Sequence, residues 1–237
     1  MKIVTEILIF LLFTQISFSQ QNFWQITNAP TSLKVVSIDT KSTGYVFIAA
    51  EDDGVYRSTN GGQEWEQINN GINYVFMLSV KVALNGDIFS GSLGVYKSTD
   101  NGENWNQTGT LNAAVLCFLF KSNGYILTGT GGGVYRSTDD GSTWIPVNNG
   151  FPSPSGIDVH TLASNSAGDI FAGAPHYGIF RSTNDGDNWT EINNGLPIYP
   201  DVRTILIDDS DHRPVSLPIS LVQAEENRAN TPGLNNT

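Results

Sequence analysis

The sequence has one cysteine, few basic residues and a small share of charge. Cys117 stands alone, so no intramolecular disulfide can form and the fold must be stabilised by packing. The 12 basic residues face 23 acidic ones, and the net charge of -11 repels phosphate backbones and anionic membrane surfaces. Nucleic acid is therefore not an expected partner. With 39% hydrophobic and only 15% charged residues, the 237-residue chain has the composition of a folded protein.

Long apolar runs are also missing. The N terminus carries a lysine, an apolar run over residues 7–13, and then Ser17 and Ser19 at the small-residue spacing that signal peptidase accepts. A membrane helix needs about 20 apolar residues, so a cleaved signal peptide over residues 1–19 is favoured over an anchor. The sequence predicts a secreted, periplasmic or cell-surface protein without an integral membrane segment after cleavage.

One short pattern occurs four times. "GVYRSTNGGQEW", "GVYKSTDNGENW", "GVYRSTDDGSTW" and "GIFRSTNDGDNW" contain boxes that begin at Ser58, Ser98, Ser137 and Ser182, at spacings of 40, 39 and 45 residues. Helical repeats of this period are disfavoured because the units carry short β-branched and aromatic runs and no apolar stripe at helical spacing. The spacing is typical of β-propeller blades.

The third unit shows the expected strands most clearly. "VLCFLFK" predicts a first strand buried on both faces, "GYILTGT" a second, "GVYRST" a third and "TWIPVNN" a fourth. Four antiparallel strands in about 40 residues form one propeller blade. The sequence therefore predicts an all-β propeller over residues 20–210. Its four full blades are expected at about 31–70, 71–110, 111–150 and 151–195.

The two ends of the repeat region predict an incomplete further blade. "FWQITNAP", residues 23–30, resembles the fourth-strand segments and precedes any first strand, whereas residues 202–210 match the first strand at Val159. The partial blade is thus assigned to residues 23–30 and 202–222, and disorder is expected over 223–237. Two interpretations stay open: a degenerate last blade with "PVSLPISLV" as its second strand, or an incomplete copy of a longer propeller.

Each box has the composition of a tight hairpin between third and fourth strands. The Asp or Asn side chain can accept hydrogen bonds from its own turn, the Gly can take a positive φ, and the Trp can bury its ring while its indole N–H finds an acceptor. The residues expected in this structural role are Ser58, Asn60, Gly62, Trp65, Ser98, Asp100, Gly102, Trp105, Ser137, Asp139, Gly141, Trp144, Ser182, Asn184, Gly186 and Trp189.

"STDDGSTW" resembles the Asp-box, or BNR repeat, at every position of S-x-D-x-G-x-T-W; the other copies depart at the Asp or the Thr. The resemblance covers about residues 23–210 and implies a propeller. Similar proteins include sialidases, xyloglucan-cleaving glycosidases, photosystem II stability/assembly factor-like proteins and secreted bacterial propellers. In these families the box is generally structural, so the resemblance does not imply catalytic box acids.

The residues argue against the catalytic groups of a sialidase. Arg57, Lys97, Arg136 and Arg181 occupy one slot in successive blades, as a structural position would, and the Arg-Ile-Pro motif is missing. The histidines share no ligand spacing, and "EDDG" at Glu51 is more typical of a solvated turn than of a calcium site. "GTGGGVY" precedes a strand rather than a helix, which disfavours a phosphate site. No catalytic residue, metal or cofactor is therefore predicted.

Where the copies differ, the chain can specify a ligand. The loops from second to third strands and from fourth strand to the next blade should open on one face, opposite the boxes. Their lengthening around the fourth blade predicts a binding neighbourhood of aromatic and carboxylate groups suited to a sugar or a peptide, although local packing of long loops would explain the same residues. The candidates are Asp158, His160, His176, Tyr177, Tyr199 and Asp201, with Phe151 beside them. The preferred function is non-catalytic recognition of a protein or glycan; the alternatives are a sialidase-like glycoside hydrolase and an extracytoplasmic assembly factor.

Overall fold

The structure is a computed structural model that describes residues 33–153, 156–198, 200–207 and 219–220. All regular secondary structure within these ranges is β-strand. Sixteen of the eighteen strands form four antiparallel sheets of four strands in chain order, and the last two form a separate pair. The predicted all-β propeller, with four full blades and an incomplete one, is confirmed.

Each blade runs from an inner first strand to an outer fourth strand. Blade 1 consists of β1 (Val35–Thr40), β2 (Val46–Ala50), β3 (Gly54–Ser58) and β4 (Glu66–Gln67), and blade 2 of β5 (Ser79–Val82), β6 (Ile88–Ser92), β7 (Gly94–Ser98) and β8 (Asn106–Thr108). Blade 3 consists of β9 (Val115–Phe120), β10 (Ile126–Thr130), β11 (Gly133–Ser137) and β12 (Ile145–Pro146), and blade 4 of β13 (Thr161–Ser164), β14 (Ile170–Ala174), β15 (Gly178–Ser182) and β16 (Thr190–Glu191).

The middle strands of each blade hold the core. The second strands of all four blades are buried along nearly their whole length, and Phe47, Phe89 and Phe171 are fully buried there. The expectation that the first strand is buried on both faces was wrong for β9, where only Val115 and Phe118 are buried. The inner strand borders the central cavity, so it loses part of the cover that the second strand receives.

The inner strands of successive blades lie side by side around this cavity. Ser37 of β1 accepts a hydrogen bond from the N–H of Val80 on β5 at 3.1 Å, and Thr161 of β13 accepts one from Ile205 at 3.4 Å. The cavity between the inner strands of the first three blades has a volume of about 780 Å³. Cys117 lines it, and burial raises the pKa of its thiol to about 12.

A partial fifth blade follows blade 4. Its strands are β17 (Leu206–Ile207) and β18 (Ile219–Ser220), which pair antiparallel. The β18 residues lie within the segment that the degenerate-blade interpretation assigns to a second strand. The predicted signal peptide, the fourth-strand segment at 23–30 and the tail at 223–237 lie outside the described residues.

Candidate functional site

The four boxes share one hydrogen-bond pattern. In each, the Ser hydroxyl accepts the N–H of the box glycine at 2.8 or 2.9 Å and donates to the Asp or Asn side chain two residues on. That side chain accepts the backbone N–H four residues later, as Asp139 does from Thr143 at 2.8 Å. The residue before each box glycine also has a positive φ, between 56° and 70°, which accounts for Gly, Asn or Asp at that position.

In the first three boxes a side-chain hydrogen bond joins the Asp position to the Thr position, whereas in the fourth Asn184 only accepts the backbone N–H of Asn188, at 3.0 Å. The Thr143 hydroxyl donates to Asp139 at 2.7 Å, and the Asn104 side chain donates to Asp100 at 2.8 Å. In the first box the direction reverses, since Asn60 donates to the carboxylate of Glu64 at 3.3 Å. An acid at either position can therefore close the turn.

The boxes also join neighbouring blades. The indole N–H of Trp105 donates to the carbonyl of Ile68 at 2.7 Å, and that of Trp189 donates to Val147 at 2.8 Å, in each case across a blade boundary. The basic residue that recurs at one position of each blade also joins neighbouring blades. Arg57 donates to the carbonyl of Asn101 in the second box at 2.8 Å. Arg136 and Lys97 likewise bond Asp185 and Asp140 of the following boxes.

The segment Asn-Asn-Gly after the fourth strand is structural, although sequence reasoning placed it among the variable loops. The first Asn of each segment, Asn69, Asn148 or Asn193, accepts a third-strand N–H of its own blade at 2.7 or 2.8 Å. The second Asn accepts the backbone N–H of the next Trp, as in Asn149 with Trp189 at 2.8 Å. A Cβ on Gly150, whose φ is 98°, would lie 2.0 Å from the Trp189 carbonyl oxygen. The variable part of these loops therefore starts after the glycine.

One face of the propeller carries the turns between second and third strands and the connections between blades; we name it the loop face. The opposite face carries the boxes and is named the box face. On the loop face, "DVHT" at Asp158 and "DVRT" at Asp201 occupy matching positions where blade 4 and the fifth blade begin. Both aspartates are exposed, and Arg203 donates to Asp201 at 3.1 Å.

His160 lies half-buried between these groups. Its backbone N–H donates to the carbonyl of Gly173 at 3.0 Å, at the start of the inner strand. Desolvation and the Arg203 guanidinium lower the pKa of His160, while Asp158 and Asp201 act in the opposite direction. His160 is therefore mainly neutral at pH 7, and its imidazole can both donate and accept a hydrogen bond.

The same positions in the first three blades are apolar. By strand register, Val36, Leu78 and Leu116 correspond to His160, and Val36 and Leu116 are extra residues where the inner strand bulges. Tyr74 and Val75, which lead into β5, are 47% and 41% exposed. At the rim of the inner strands, the loop face is thus apolar in the first three blades and charged in the fourth and fifth. The sequence signal for the charged side was the repeated "DV-x-T".

The other residues predicted for the binding neighbourhood are His176, Tyr177, Phe151 and Tyr199. His176 and Tyr177 are exposed on the turn before β15, and the carbonyl of Tyr177 accepts the Asn193 side chain at 2.7 Å. Phe151 belongs to the core, since it is 8% exposed and its ring is stacked 5.2 Å from that of Trp189. Tyr199 lies outside the described residues.

Two of the three acids at the first-blade turn, Glu51 and Asp53, have protein partners. Glu51 forms an ion pair with Lys34, and Asp53 accepts the Tyr56 hydroxyl at 2.8 Å and the Gln67 amide at 3.0 Å. Burial and then Asp53 raise the pKa of Tyr56 to about 12. In the part of the chain that the structure describes, no cluster of three His, Cys, Asp or Glu could hold a metal ion, and no helix is long and apolar enough to span a membrane.

Comparisons with solved structures show the β-propeller fold. The chain is similar to an ancestral GH74 enzyme, with 26% identity and a TM-score of 0.62 over 73% of this chain and 25% of that one. It is similar to YCF48 bound to D1 peptide, with 18% identity and a TM-score of 0.53 over 71% of this chain and 55% of that one. An extracellular domain assigned to a one component system of B. thetaiotaomicron has 13% identity and a TM-score of 0.61 over 78% of this chain and 26% of that one.

The chain spans about a quarter of the first and third of these proteins and about half of the second. No family model matches the sequence, and no curated protein matches it. What these likenesses establish for the chain is therefore its propeller architecture.

Proposed function

We propose that this protein is a secreted, non-catalytic propeller of the Asp-box class whose loop face binds a protein or a glycan. The supporting observation is where the repeats agree and where they differ. On the box face the same hydrogen bonds recur in all four blades, whereas at the rim of the inner strands on the loop face Val36, Leu78 and Leu116 give way to His160 and Arg203. Variation confined to one end of a rigid scaffold is typical of a recognition surface.

The mechanism is presentation by a rigid framework. The residues that lead into the inner strands are held by backbone bonds to the blades, such as Val159 N–H to the Thr130 carbonyl at 2.9 Å. A ligand on this face therefore orders few side chains, and little of its binding free energy is lost to that ordering. The Asp158, Asp201, His160 and Arg203 side chains offer directional hydrogen bonds, and the side of Tyr74 and Leu116 offers apolar contact.

The test is a glycan and peptide array probed with the full chain and with an Asp158→Ala/Tyr177→Ala double variant. Leu84→Ala is the matched control, because Leu84 is 77% exposed on the box face. We expect a specific signal that the double variant loses and the control keeps. A folded protein that binds nothing, or binding that the double variant retains, would contradict the proposal. The D1 peptide bound to YCF48 motivates the peptide half of the array.

A glycoside hydrolase is the second candidate, and one observation favours it. Asp158 and Asp201 precede adjacent inner strands at matching positions, both interact electrostatically with His160 and both are exposed, and most glycoside hydrolases use two carboxylic groups. Asp158→Asn and Asp201→Asn should then each abolish release of a chromogenic aglycone from an aryl glycoside. Turnover that survives both substitutions would exclude these acids as the catalytic pair.

Export is part of the proposal. The N-terminal sequence predicts cleavage after Ser19, and similar propellers include an extracellular domain. Mass spectrometry of the product from the native host should show a chain beginning at Gln20. A product that retains residues 1–19 would contradict secretion through this signal.

A further inference from the structure

The turn between the first and second strands differs in blade 2 at the position that faces the next blade. In blades 1 and 3 this turn begins with Lys41 and Lys121, whereas blade 2 has Ala83 there. The backbone of the three turns is the same, since each of these residues donates its N–H to the carbonyl four residues later. A lysine side chain is therefore missing from an otherwise equivalent site.

Both lysines cross to the next blade and reach its box. The ammonium of Lys41 donates to the Asn101 side chain at 2.6 Å, and that of Lys121 donates to the Asp185 side chain. Asn101 and Asp185 directly precede their box glycines, and Asp140 holds the same position in the third box. At the first and third boundaries a lysine thus lies over this box position.

The path of that lysine is a cavity at the boundary between blades 2 and 3. A Cβ on Gly86 would lie 3.2 Å from the Cε atom of Lys41, but no described atom lies within 4 Å of a Cβ on Gly124, the equivalent glycine of blade 3. Ala83, Gly124 and Asp140 line the cavity, which has a volume of about 220 Å³. One water takes about 30 Å³ in the liquid, so the cavity has room for a short aliphatic chain.

The other walls of the cavity suit methylene groups. Leu84, Phe120, Tyr125 and Ile126 contribute to its lining. Leu84 is 77% exposed, and its position holds Ser in the other three blades. The two aromatic rings can also attract a cation. Apolar walls that lead to a carboxylate match the chemistry of a lysine side chain.

The box acid at this boundary has one cation fewer than its counterpart. Asp185 accepts hydrogen bonds from Lys121 through its side chain and from Arg136 through its carbonyl. Asp140 accepts one from Lys97 through Oδ2, and no other cation of the described residues reaches it. The Asp140 side chain is 61% exposed, so its Oδ1 atom can accept a second ammonium.

The described lysines are not available to fill the cavity from within the chain. Each of them already pairs with an acid or an amide: Lys34, Lys41, Lys81, Lys97 and Lys121. The remaining lysine of the sequence is Lys2, in the predicted signal peptide. The net charge of -11 attracts cationic ligands to the protein.

We propose that this cavity, on the box face between blades 2 and 3, binds a primary alkylammonium group, from a lysine of a partner or from a free aliphatic amine. The ammonium donates to Asp140, and the methylene chain lies over Ala83 against Leu84 and Tyr125. The site is on the face opposite the loop face, so it does not depend on the recognition proposed there.

The test is a titration of the full chain with n-butylammonium at constant ionic strength, followed by the amide chemical shifts of Ala83 and Gly124. We expect saturable binding with a dissociation constant of about 1–10 mM, because a ligand this small makes few contacts. 1-Butanol has the same length without the charge and should bind at least about tenfold more weakly.

Two substitutions and a matched control locate the binding. Ala83→Lys supplies the missing side chain and should abolish binding of the amine. Asp140→Asn should weaken it at least about tenfold, and Asn101 shows that Asn is compatible with this box position. Asp185→Asn is the control, because Lys121 already lies over that residue, and it should leave binding unchanged.

The absence of saturable binding up to about 100 mM amine, or binding that both Ala83→Lys and Asp140→Asn retain, would overturn the proposal. Equal binding of 1-butanol would also overturn it. The blocked peptide acetyl-Gly-Lys-Gly-amide distinguishes the sources of the ammonium group. Competition between this peptide and n-butylammonium would support a lysine of a partner, whereas binding of the amine without the peptide would support a free amine.

Discussion

The boundary between blades 2 and 3 differs from the boundaries on either side of it. At the first and third boundaries, the segment Asn-Asn-Gly accepts the Trp of the next box, and both indoles donate to carbonyls within 2.8 Å. At the middle boundary, the corresponding segment is Gly109-Thr110-Leu111, and the buried indole nitrogen of Trp144 has no hydrogen-bond partner among the described residues. The Thr108 hydroxyl instead donates to the carbonyl of Gly141 at 2.5 Å.

This difference shows that the box alone does not determine the interface. The third box matches the repeat pattern best, yet its Trp has the poorest hydrogen bonding of the three at inter-blade boundaries. Whether the Trp of a box is hydrogen-bonded depends on the segment that follows the fourth strand of the preceding blade. The effects of equivalent substitutions should therefore differ between boundaries.

The largest loss of stability is expected on substitution of Trp189 or Trp144. Trp189→Ala removes a ring that is 4% exposed, stacked on Phe151 and hydrogen-bonded to Val147, so it should lower the free energy of unfolding by about 3–5 kcal/mol. Trp144→Ala should cost less, roughly 2–3 kcal/mol, because its ring is half-buried. Urea denaturation compares the two, and equal losses would contradict the difference between boundaries.

Two glycines of the Asn-Asn-Gly segments, Gly150 and Gly195, should separate the cost of backbone strain from the cost of a steric collision. Gly150→Ala places a Cβ 2.0 Å from the Trp189 carbonyl oxygen at a φ of 98°, so we expect a loss of roughly 2–4 kcal/mol. Gly195→Ala has a φ of 89° but nothing within 4 Å, and the left-handed backbone alone costs about 1 kcal/mol. Thermal unfolding of both variants measures this, and a Gly195 loss as large as that of Gly150 would show that collision adds little to the cost of the left-handed backbone.

The side chains that bond the start of the third strand should contribute differently to stability in blades 3 and 2. Asn148→Ala removes the acceptor of the buried Val134 N–H, and leaving this donor unpaired should cost about 1–3 kcal/mol. Blade 2 has Gly109 at the equivalent position, and the exposed Gln107 lies at its turn instead. Gln107→Ala should cost about 0.5 kcal/mol or less. A comparison of urea midpoints tests the pair, with Gln107→Ala as the matched control.

The smallest effect concerns pH. Hydrogen bonds from the side chain and backbone of Asn104 lower the pKa of Asp100, and those from Thr143 lower the pKa of Asp139, below the ordinary 3.8. A depressed carboxyl pKa contributes stability above the unfolded-state value, which is lost as pH falls through the folded-state value. The double variant Asp100→Asn/Asp139→Asn should therefore lose less stability than the wild type as pH falls below about 4. Identical profiles would show that these boxes do not contribute to acid sensitivity.

The blades could be predicted because their turns depend on bonds between residues close in sequence. Contacts between residues distant in sequence could not be predicted. The box spacing and turn residues predicted the hairpins because Ser137, Asp139 and Gly141 bond within a few residues of one another. Asn-Asn-Gly was interpreted as a free loop because its composition is typical of turns, while Asn148 acts on Val134 and Asn149 acts on the next blade. Phe151 was misplaced for the same reason, since its partner Trp189 lies in the following box.

The candidate site was predictable only in part. The lengthened loops pointed to Asp158, His160 and Asp201, but no sequence argument placed Arg203 with them. Its proximity to His160 follows from inner strands lying side by side. The apolar side at Leu78 and Leu116 gave no signal because isolated leucines at strand starts are indistinguishable from core residues.

The unpaired indole at the middle boundary also bears on cooperativity. Each blade packs on its sequence neighbours, so the stability of such an array is approximately a sum of blade terms and nearest-neighbour terms. Although a buried cluster of Phe89, Val95, Phe118 and Ile126 spans this boundary, we expect the missing hydrogen bond to make it the weakest neighbour term, so that the blade pairs on either side open separately. Amide hydrogen exchange should then show two protection levels, one shared by blades 1 and 2 and another by blades 3 and 4.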